Sequence, residues 1–447
     1  MSVNRRSFIK YASLAAAGNA AALRPFGALN ALAQTTADYK ALVCVFLYGG
    51  NDSNNTLIPF DTAGYKNYAT VRGPLAIPQN QLLQLSARPS FGLNPNLPDL
   101  ATLFDNKNAA LVLNVGTLIE PTTKKQYQTA GAVLPNNLFS HSDQQLEWQN
   151  AAQSGSTPTG WAGRIADTLN TTYNAGSEIP MITSVAGDTL FCNGSASTPV
   201  SVSPSNLGGA SCSEGTTACG AQLATAQALL QFSSGLTLVQ ADNQITSNAY
   251  NYAKVLTAAT ASVSPLKTVF PAKNGLAAQL QQIAQIIQVR AALGVSRQIF
   301  FAGIGNFDTH SDQLTLQNAL LAQISPALSA FYNATVEMGV QNSVTSFTMS
   351  DFSRTFQPNS NTGTDHAWGA HHIVMGGAVK GGQMYGTFPT LALNGPDDSG
   401  SNGRWVPSTG SVQYAATLAS WFGVSVSQLP TVFPNIGSFG TKNLGFV

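Results

Sequence analysis

One apolar stretch decides how the fold of this 447-residue chain is interpreted, namely Lys40-Ala41-Leu42-Val43-Cys44-Val45-Phe46-Leu47. The run is continuously apolar and rich in residues that favour β-structure, which is typical of a strand covered on both faces. A glycine-rich turn follows it and contains Asp52. Because α/β proteins place their sites at the carboxyl ends of parallel strands, Asp52 is a candidate metal ligand. An Asx turn or a helix cap explains the same residue equally well.

Strand and helix patterns alternate along the rest of the chain. Buried strands are predicted at 109–116, 298–304, 346–350 and 372–379, and helices at 222–232, 275–293, 313–338 and 414–422. This order predicts an α/β three-layer sandwich with a mostly parallel central sheet and helices on both faces. We expect one such domain over residues 34–447, with a Ser/Gly-rich insertion near 186–220 that could also serve as a lid.

The N-terminus carries an export pattern. Arg5 and Arg6 precede a weakly apolar, Ala-rich segment, and Ala31-Leu32-Ala33 offers a small-x-small cleavage site. We interpret residues 1–33 as a twin-arginine signal peptide, which predicts a periplasmic or secreted protein with no transmembrane segment in the mature chain. Cleavage would remove four basic residues and no acidic one, taking the net charge from +1 to −3. Nothing in that balance favours nucleic acid as a partner.

The cysteines fit an exported protein. Cys44 lies in the first strand and is predicted to be a buried thiol. Two of Cys192, Cys212 and Cys219 could pair in an oxidising compartment, and Cys212–Cys219 is the most local pairing.

All five histidines of the chain lie beside an aspartate or near a predicted strand end. His141 stands in Ser-His-Ser-Asp, His310 in Phe-Asp-Thr-His, and His366, His371 and His372 in one stretch at 363–372. Imidazole and carboxylate together suit a divalent metal or an acid/base pair. Adjacent residues of a strand point to opposite faces, so at most one of His371 and His372 is expected in a site.

Three predicted strand ends carry polar side chains, and these ends should share one edge of the sheet. They supply Asp52, then Asp308 with His310, then Asp351 with Arg354. The planar guanidinium of Arg354 is always charged and would suit a substrate oxyanion at this edge. A loop salt bridge between Asp351 and Arg354 is the structural alternative.

These segments resemble a known family when they are taken together. The motifs are Gly49-Gly50-Asn51-Asp52, Ser140-His141-Ser142-Asp143, Phe307-Asp308-Thr309-His310, Ser350-Asp351-Phe352-Ser353-Arg354 and Gly363-Thr364-Asp365-His366 with the residues up to His372. They resemble the exported bacterial family named domain of unknown function fifteen hundred and one, grouped with alkaline phosphatases and sulfatases. The resemblance implies an alkaline-phosphatase-like sandwich and a metal site. By position, its ligands would be Asp52, Asp308, His310, Asp351 and His366.

Two functions follow as expectations. The first is an exported metal-dependent hydrolase of phosphate or sulfate esters that uses a divalent ion, with zinc, manganese and calcium left undistinguished. In it Arg354 holds the substrate anion, and His141 and His371 act as acid/base groups or supports. The second is a binding or assembly protein of the cell envelope that keeps the fold without turnover. It is suggested by Phe352, which stands where the superfamily usually has a metal-binding histidine, and by the lack of an obvious nucleophile.

Overall fold

The computed structural model describes residues 38–152, 157–204, 218–231 and 235–447. The predicted signal peptide and Cys212 lie outside these residues, so the expected cleavage and the Cys212–Cys219 pairing stay predictions. Cys44 and Cys192 are both buried free thiols, which confirms the interpretation of Cys44.

A large mixed sheet forms the centre of the described structure. Its path in space is β11 (Met384–Tyr385), β5 (Ala109–Gly116), β10 (Ala370–Met375), β9 (Val344–Ser350), β1 (Lys40–Leu47), β8 (Arg297–Ile304), β6 (Ile182–Ser184) and β7 (Val200–Ser201), with β12 (Thr409–Gly410) beside β5. Every pairing in it is parallel except those that β10 makes with β5 and β9. A small antiparallel sheet contains β2 (Leu57–Pro59), β3 (Leu83–Leu85) and β4 (Arg88–Leu93).

The helices cover both faces of the large sheet. They are α1 (Thr62–Arg72), α2 (Pro98–Asp105), α3 (Lys124–Tyr127), α4 (His141–Asn150), α5 (Trp161–Tyr173), α6 (Ala218–Leu230), α7 (Thr237–Ala261), α8 (Gly275–Gln288), α9 (Gln313–Glu337), α10 (Ser411–Phe422) and α11 (Leu429–Val432). Alternate residues of β1 enter two separate cores. Val43 and Val45 pack with α8 and α9, whereas Cys44 and Phe46 pack with α5 and α10. This period of two is what a strand buried on both faces requires.

The predicted three-layer α/β class with a mostly parallel sheet is therefore confirmed. One strand differs from the expectation, because the strand predicted at 372–379 ends at Met375 and runs antiparallel to its neighbours. No helix lies between β9 and β10, and a parallel pairing needs a long crossover connection. The chain therefore turns back through the loop 351–369.

Within the described ranges, no helix combines the length and apolarity needed to cross a lipid bilayer.

Candidate metal centre

The ends of three neighbouring strands bring the candidate residues to one edge. β1 lies between β8 and β9 in parallel register, so that Leu47 pairs with both Ile304 and Ser350. The loops that follow β8 and β9 therefore start side by side. The first supplies Asp308 and His310, and the second supplies Asp351.

Gly49 allows these loops to approach each other closely. Its φ is +109°, and a Cβ atom at this position would lie 2.5 Å from the backbone nitrogen of Asp308. Its own N–H donates to Oδ1 of Asp351 over 3.2 Å. Only glycine meets both the positive φ and the close contact without strain. The glycine turn after β1 thus sets the separation of the Asp308 and Asp351 loops.

Two further segments complete the edge. His141 is the first residue of α4. His366 lies in the loop between β9 and β10 and forms an antiparallel bridge with Arg354. A backbone bond from Ala367 to Ser353 folds this loop back on its own start, and one from Thr364 to Thr309 ties it to the loop after β8. The start of α4, the loop after β8 and the loop after β9 therefore meet at one place.

Three imidazole nitrogens and one carboxylate oxygen converge there. Nε2 of His366 lies 3.1 Å from Nε2 of His141 and 2.9 Å from Nε2 of His310. Oδ1 of Asp308 lies 3.3 Å from Nε2 of His141, 3.0 Å from Nε2 of His310 and 3.3 Å from Nε2 of His366. We call these four residues the histidine–aspartate cluster. Asp308 and His310 are nearly half exposed, so the cluster opens to solvent.

The opposite nitrogen of each ring faces a hydrogen-bond acceptor. Nδ1 of His141 lies 2.7 Å from Oδ2 of Asp351, and Nδ1 of His310 lies 3.2 Å from Oδ1 of Asp365. Nδ1 of His366 lies 2.6 Å from the carbonyl oxygen of Phe139. Carboxylate and carbonyl oxygens accept hydrogen bonds, so the proton of each neutral ring is placed on Nδ1. The Nε2 atoms that face one another therefore carry lone pairs.

Lone pairs at these separations repel each other unless a proton or a cation lies between them. Three pKa shifts describe the electrostatics of the cluster. Asp351 accepts a hydrogen bond from His141 and raises the pKa of that ring, whereas burial lowers the pKa of His366. Burial of Asp308 is outweighed by the Arg354 hydrogen bond and charge, which bring the pKa of this carboxyl group to about 2. A neutral His366 and an ionised Asp308 are the protonation states that metal binding needs.

The spacing fits a metal ion. Atoms bound to one tetrahedral zinc ion at about 2.0–2.1 Å lie about 3.3–3.4 Å from one another. Within the described part of the chain, His141, Asp308 and His366 form a group whose ligand atoms fit around one ion. Two imidazoles and a carboxylate leave further positions open, as in catalytic rather than structural metal sites.

Asp52 was predicted as a ligand, but the structure places it in the core. Its carboxylate pairs with Arg72, whose side chain is equally buried, and accepts from Gln313 and from the backbone of Asn54. The two glycines before it turn the chain past the sheet edge, so the alternative of a cap is correct. Asp52 caps a short 3₁₀ turn.

Arg354 was predicted to hold the substrate anion, and the structure contradicts this assignment. The side chain is fully buried. Its guanidinium donates to the carbonyl oxygens of Gly49, Gly50 and Thr364 and to Asp308. Every nitrogen of the fork is used within the protein. Arg354 therefore orients Asp308 and joins the loops.

His371 was predicted as an acid/base group, but it lies apart from the cluster. It is buried in β10, where Nδ1 accepts from the backbone of Asn114 over 3.0 Å and the ring packs on Phe388. His372 points to the other face, against Trp148 and Tyr414. Burial lowers the pKa of His371 to about 4 and that of His372 to about 3. Both rings are therefore packed within the protein, on opposite faces of β10, as expected for adjacent residues of a strand.

Asp351 was predicted as a ligand, but the structure places it behind His141, which it supports. Its side chain is fully buried, and Oδ2 accepts from Gln145 over 2.9 Å as well as from His141. Sequence reasoning missed Gln145, although its position four residues after His141 on the same helix was a usable signal. It also missed Phe139 and Asp365 as partners of His366 and His310.

Fold and site define an α/β protein whose loops, at the carboxyl edge of a mostly parallel sheet, gather imidazoles and a carboxylate into a candidate metal centre. The chain belongs to the family described as Protein of unknown function (DUF1501), whose model matches residues 39–401. This confirms the predicted family. No curated relative matches the chain in sequence.

Several solved structures are similar to this chain at a low level. They include Ps i-CgsB, with 8% identity, a TM-score of 0.36, and coverage of 89% of this chain and 77% of that chain. The lipoteichoic acid synthase LtaP from Listeria monocytogenes shows 6% identity, a TM-score of 0.34, and coverage of 92% and 75%. The PsFucS1 sulfatase from Pseudoalteromonas sp. shows 8% identity, a TM-score of 0.34, and coverage of 90% and 72%.

Proposed function

We propose that this protein is a hydrolase of phosphate or sulfate esters that depends on one divalent transition-metal ion. The observation that supports the proposal is the convergence of the imidazole lone pairs with the Asp308 carboxylate. His141, Asp308 and His366 would hold the ion. Imidazole ligands favour zinc or iron over calcium, which prefers an all-oxygen shell. Such an ion would supply Lewis acidity to a phosphoryl or sulfuryl oxygen.

The side chains around the ion would have separate roles. Arg354 donates to Asp308, and Asp351 accepts from Nδ1 of His141, so both ligands are held in orientation. His310 is oriented by Asp365 through Nδ1, and its Nε2 faces the cluster with 44% of the side chain exposed. With the ion held by His141, Asp308 and His366, this Nε2 of His310 would accept a proton from the water that attacks the ester. Within the described residues, no hydroxyl or thiol is hydrogen-bonded to a cluster side chain, which favours direct attack by water over a covalent intermediate.

The test uses the mature chain, residues 34–447, purified without chelator. We expect about one equivalent of a transition metal by elemental analysis, and its loss in His366→Ala and Asp308→Asn. Turnover of a panel of phosphate and sulfate monoesters should disappear with the ion and return when it is added back. Negligible metal uptake by the wild-type chain would refute the proposal, because protons would then be what joins the imidazoles.

A non-catalytic binding protein of the cell envelope is the second candidate. Phe352 favours it, because its ring stacks on His366 at 4.7 Å between ring centroids and packs against His141 at 4.8 Å. This position thus supplies an apolar wall in place of another ligand. A chain that binds metal tightly, turns over no ester of the panel and captures one specific envelope protein would favour this function.

We also propose export by the twin-arginine pathway, on the basis of Arg5 and Arg6 and the segment that follows them. Replacing both arginines by lysine should retain the full-length precursor in the cytoplasm. Continued export of that variant would contradict the proposal.

A further inference from the structure

Arg404 is held rigidly beside the histidine–aspartate cluster. Its backbone N–H donates to Oδ1 of Asp398 over 3.0 Å, and its carbonyl oxygen accepts from the N–H of Ser399 over 2.9 Å. The preceding Gly403 has a φ of +75°, and a Cβ atom there would lie 2.3 Å from the Cβ atom of Phe356. The main chain at Arg404 is therefore fixed on both sides by a turn that only glycine can complete.

The side chain of Arg404 is positioned by two residues of the candidate site. Its Nε donates to the carbonyl oxygen of His366 over 2.8 Å. Its guanidinium carbon lies 4.5 Å from the centre of the Phe139 ring, a cation–π contact. Phe139 has a φ of +76°, which is costly for a bulky residue. That conformation lets its carbonyl meet Nδ1 of His366 while its ring supports Arg404.

The outer edge of this guanidinium is unused. In the described part of the chain, no acceptor is hydrogen-bonded to Nη1 or Nη2 of Arg404, and no carboxylate forms an ion pair with it. The nearby Asp398 carboxylate is buried and accepts four backbone N–H groups, including that of Arg404 itself. Arg354 differs from Arg404 in both burial and bonding, because its side chain is fully buried and all its guanidinium nitrogens are hydrogen-bonded.

We propose that Nη1 and Nη2 of Arg404 form an oxyanion-binding site for a phosphate or sulfate group. A planar fork held in one orientation matches two oxygens of such a group and loses little rotamer freedom on binding. His366 connects the site to the cluster, since its carbonyl oxygen holds Arg404 and its Nε2 belongs to the cluster. The site thus takes the role that Arg354 cannot have. This inference rests on the proposed function for the identity of the anion, but the binding itself can be measured separately.

The test measures binding of inorganic phosphate and of inorganic sulfate to the mature chain by calorimetry, with and without one equivalent of zinc. Arg404→Gln should weaken the binding of at least one anion about tenfold or more. Lys442→Gln removes the same charge at an exposed position 38 residues further along the chain and should leave anion affinity unchanged. Arg404→Lys keeps the charge without the fork and should fall between Arg404→Gln and the wild type.

The metal affinity of each variant separates the two proposals. Loss of anion binding in Arg404→Gln with wild-type metal affinity supports the oxyanion site. Anion affinity equal to that of Lys442→Gln overturns it, even if the metal centre is genuine. If the wild-type chain takes up no metal, the proposed function is refuted. If phosphate binding is nevertheless lost in Arg404→Gln, the oxyanion site still holds. If Arg404→Gln does not fold, Arg404→Lys decides, and wild-type anion affinity in that variant counts against the fork.

Discussion

Replacing Asp351 by asparagine tests whether His141 is a metal ligand. Oδ1 of Asp351 accepts from Gly49, and Oδ2 accepts from both His141 and Gln145. If the amide oxygen of asparagine keeps the Gly49 contact, its NH₂ group faces the two donors. Gln145 can rotate its amide and offer oxygen, whereas His141 can only move its proton to Nε2. That proton would then point into the cluster and block coordination.

The size of the effect follows from the type of contact that is lost. Removal of the carboxylate that orients a ligand imidazole usually lowers metal affinity about 10- to 100-fold, or about 1.4–2.7 kcal/mol. The overall shape of the side chain is retained, so we expect the fold to survive. Zinc affinity should therefore fall by this factor in Asp351→Asn, as measured by competition with a chromophoric chelator near pH 7.5.

Asp143→Asn is the matched control for this experiment. Asp143 lies in the first turn of the same helix, and the substitution removes the same charge. Among the described residues, its carboxylate is hydrogen-bonded only to Asn137, Ser140 and Ser142. Its zinc affinity should stay within about twofold of wild type. Equal affinities in Asp351→Asn, Asp143→Asn and wild type would refute the assignment of His141 as a ligand that Asp351 orients.

Three further predictions concern His310, Gly49 and His372. His310→Ala should keep the metal and lower turnover about 100-fold or more if Nε2 is a base; loss of the ion as well would make His310 a ligand instead. Gly49→Ala should lose more than about 3 kcal/mol of unfolding free energy, because its Cβ would lie 2.5 Å from the Asp308 nitrogen. The control is Gly73→Ala, which has open space around it and should lose about 1 kcal/mol. His372, with a folded-state pKa of about 3, stays neutral while the unfolded chain takes up a proton below about pH 6.5. This residue alone should therefore remove about 1.4 kcal/mol of stability per pH unit as the pH falls from 6 to 4. His372→Phe should flatten the slope of denaturation free energy against pH by that amount, and an unchanged slope would contradict the assigned pKa.

The sequence predicted those parts of the fold that depend on local pattern. β1, β5, β8 and β9 were recognised because continuous apolar runs bounded by glycine and polar residues have few other interpretations. The direction of β10 was not recognisable, since it depends on the route of the loop before it. The cluster residues were found because their strand ends share one edge, and His141 was found through its neighbours at the start of α4.

The errors in the candidate site come from side-chain direction. Asp52, Asp351 and Arg354 all lie near the predicted edge, but each is turned inward by contacts with partners up to hundreds of residues away. Nothing in the sequence selected Arg404, because the property that matters is the lack of hydrogen-bond partners for its Nη1 and Nη2 atoms among the described residues, and only the structure reveals it. Position along a strand is a local property, whereas the partner that a polar group selects is settled only by the whole fold.

The separation of the cluster residues along the chain has a consequence for biosynthesis. His141 and His366 are 225 positions apart and still meet at 3.1 Å. A nascent chain that has not yet reached His366 has only some of the donors of the proposed metal centre and could bind an ion only weakly. In the proposed metal centre, tight capture of an ion therefore has to wait until the loop after β9 has been made and has folded against α4 and the loop after β8.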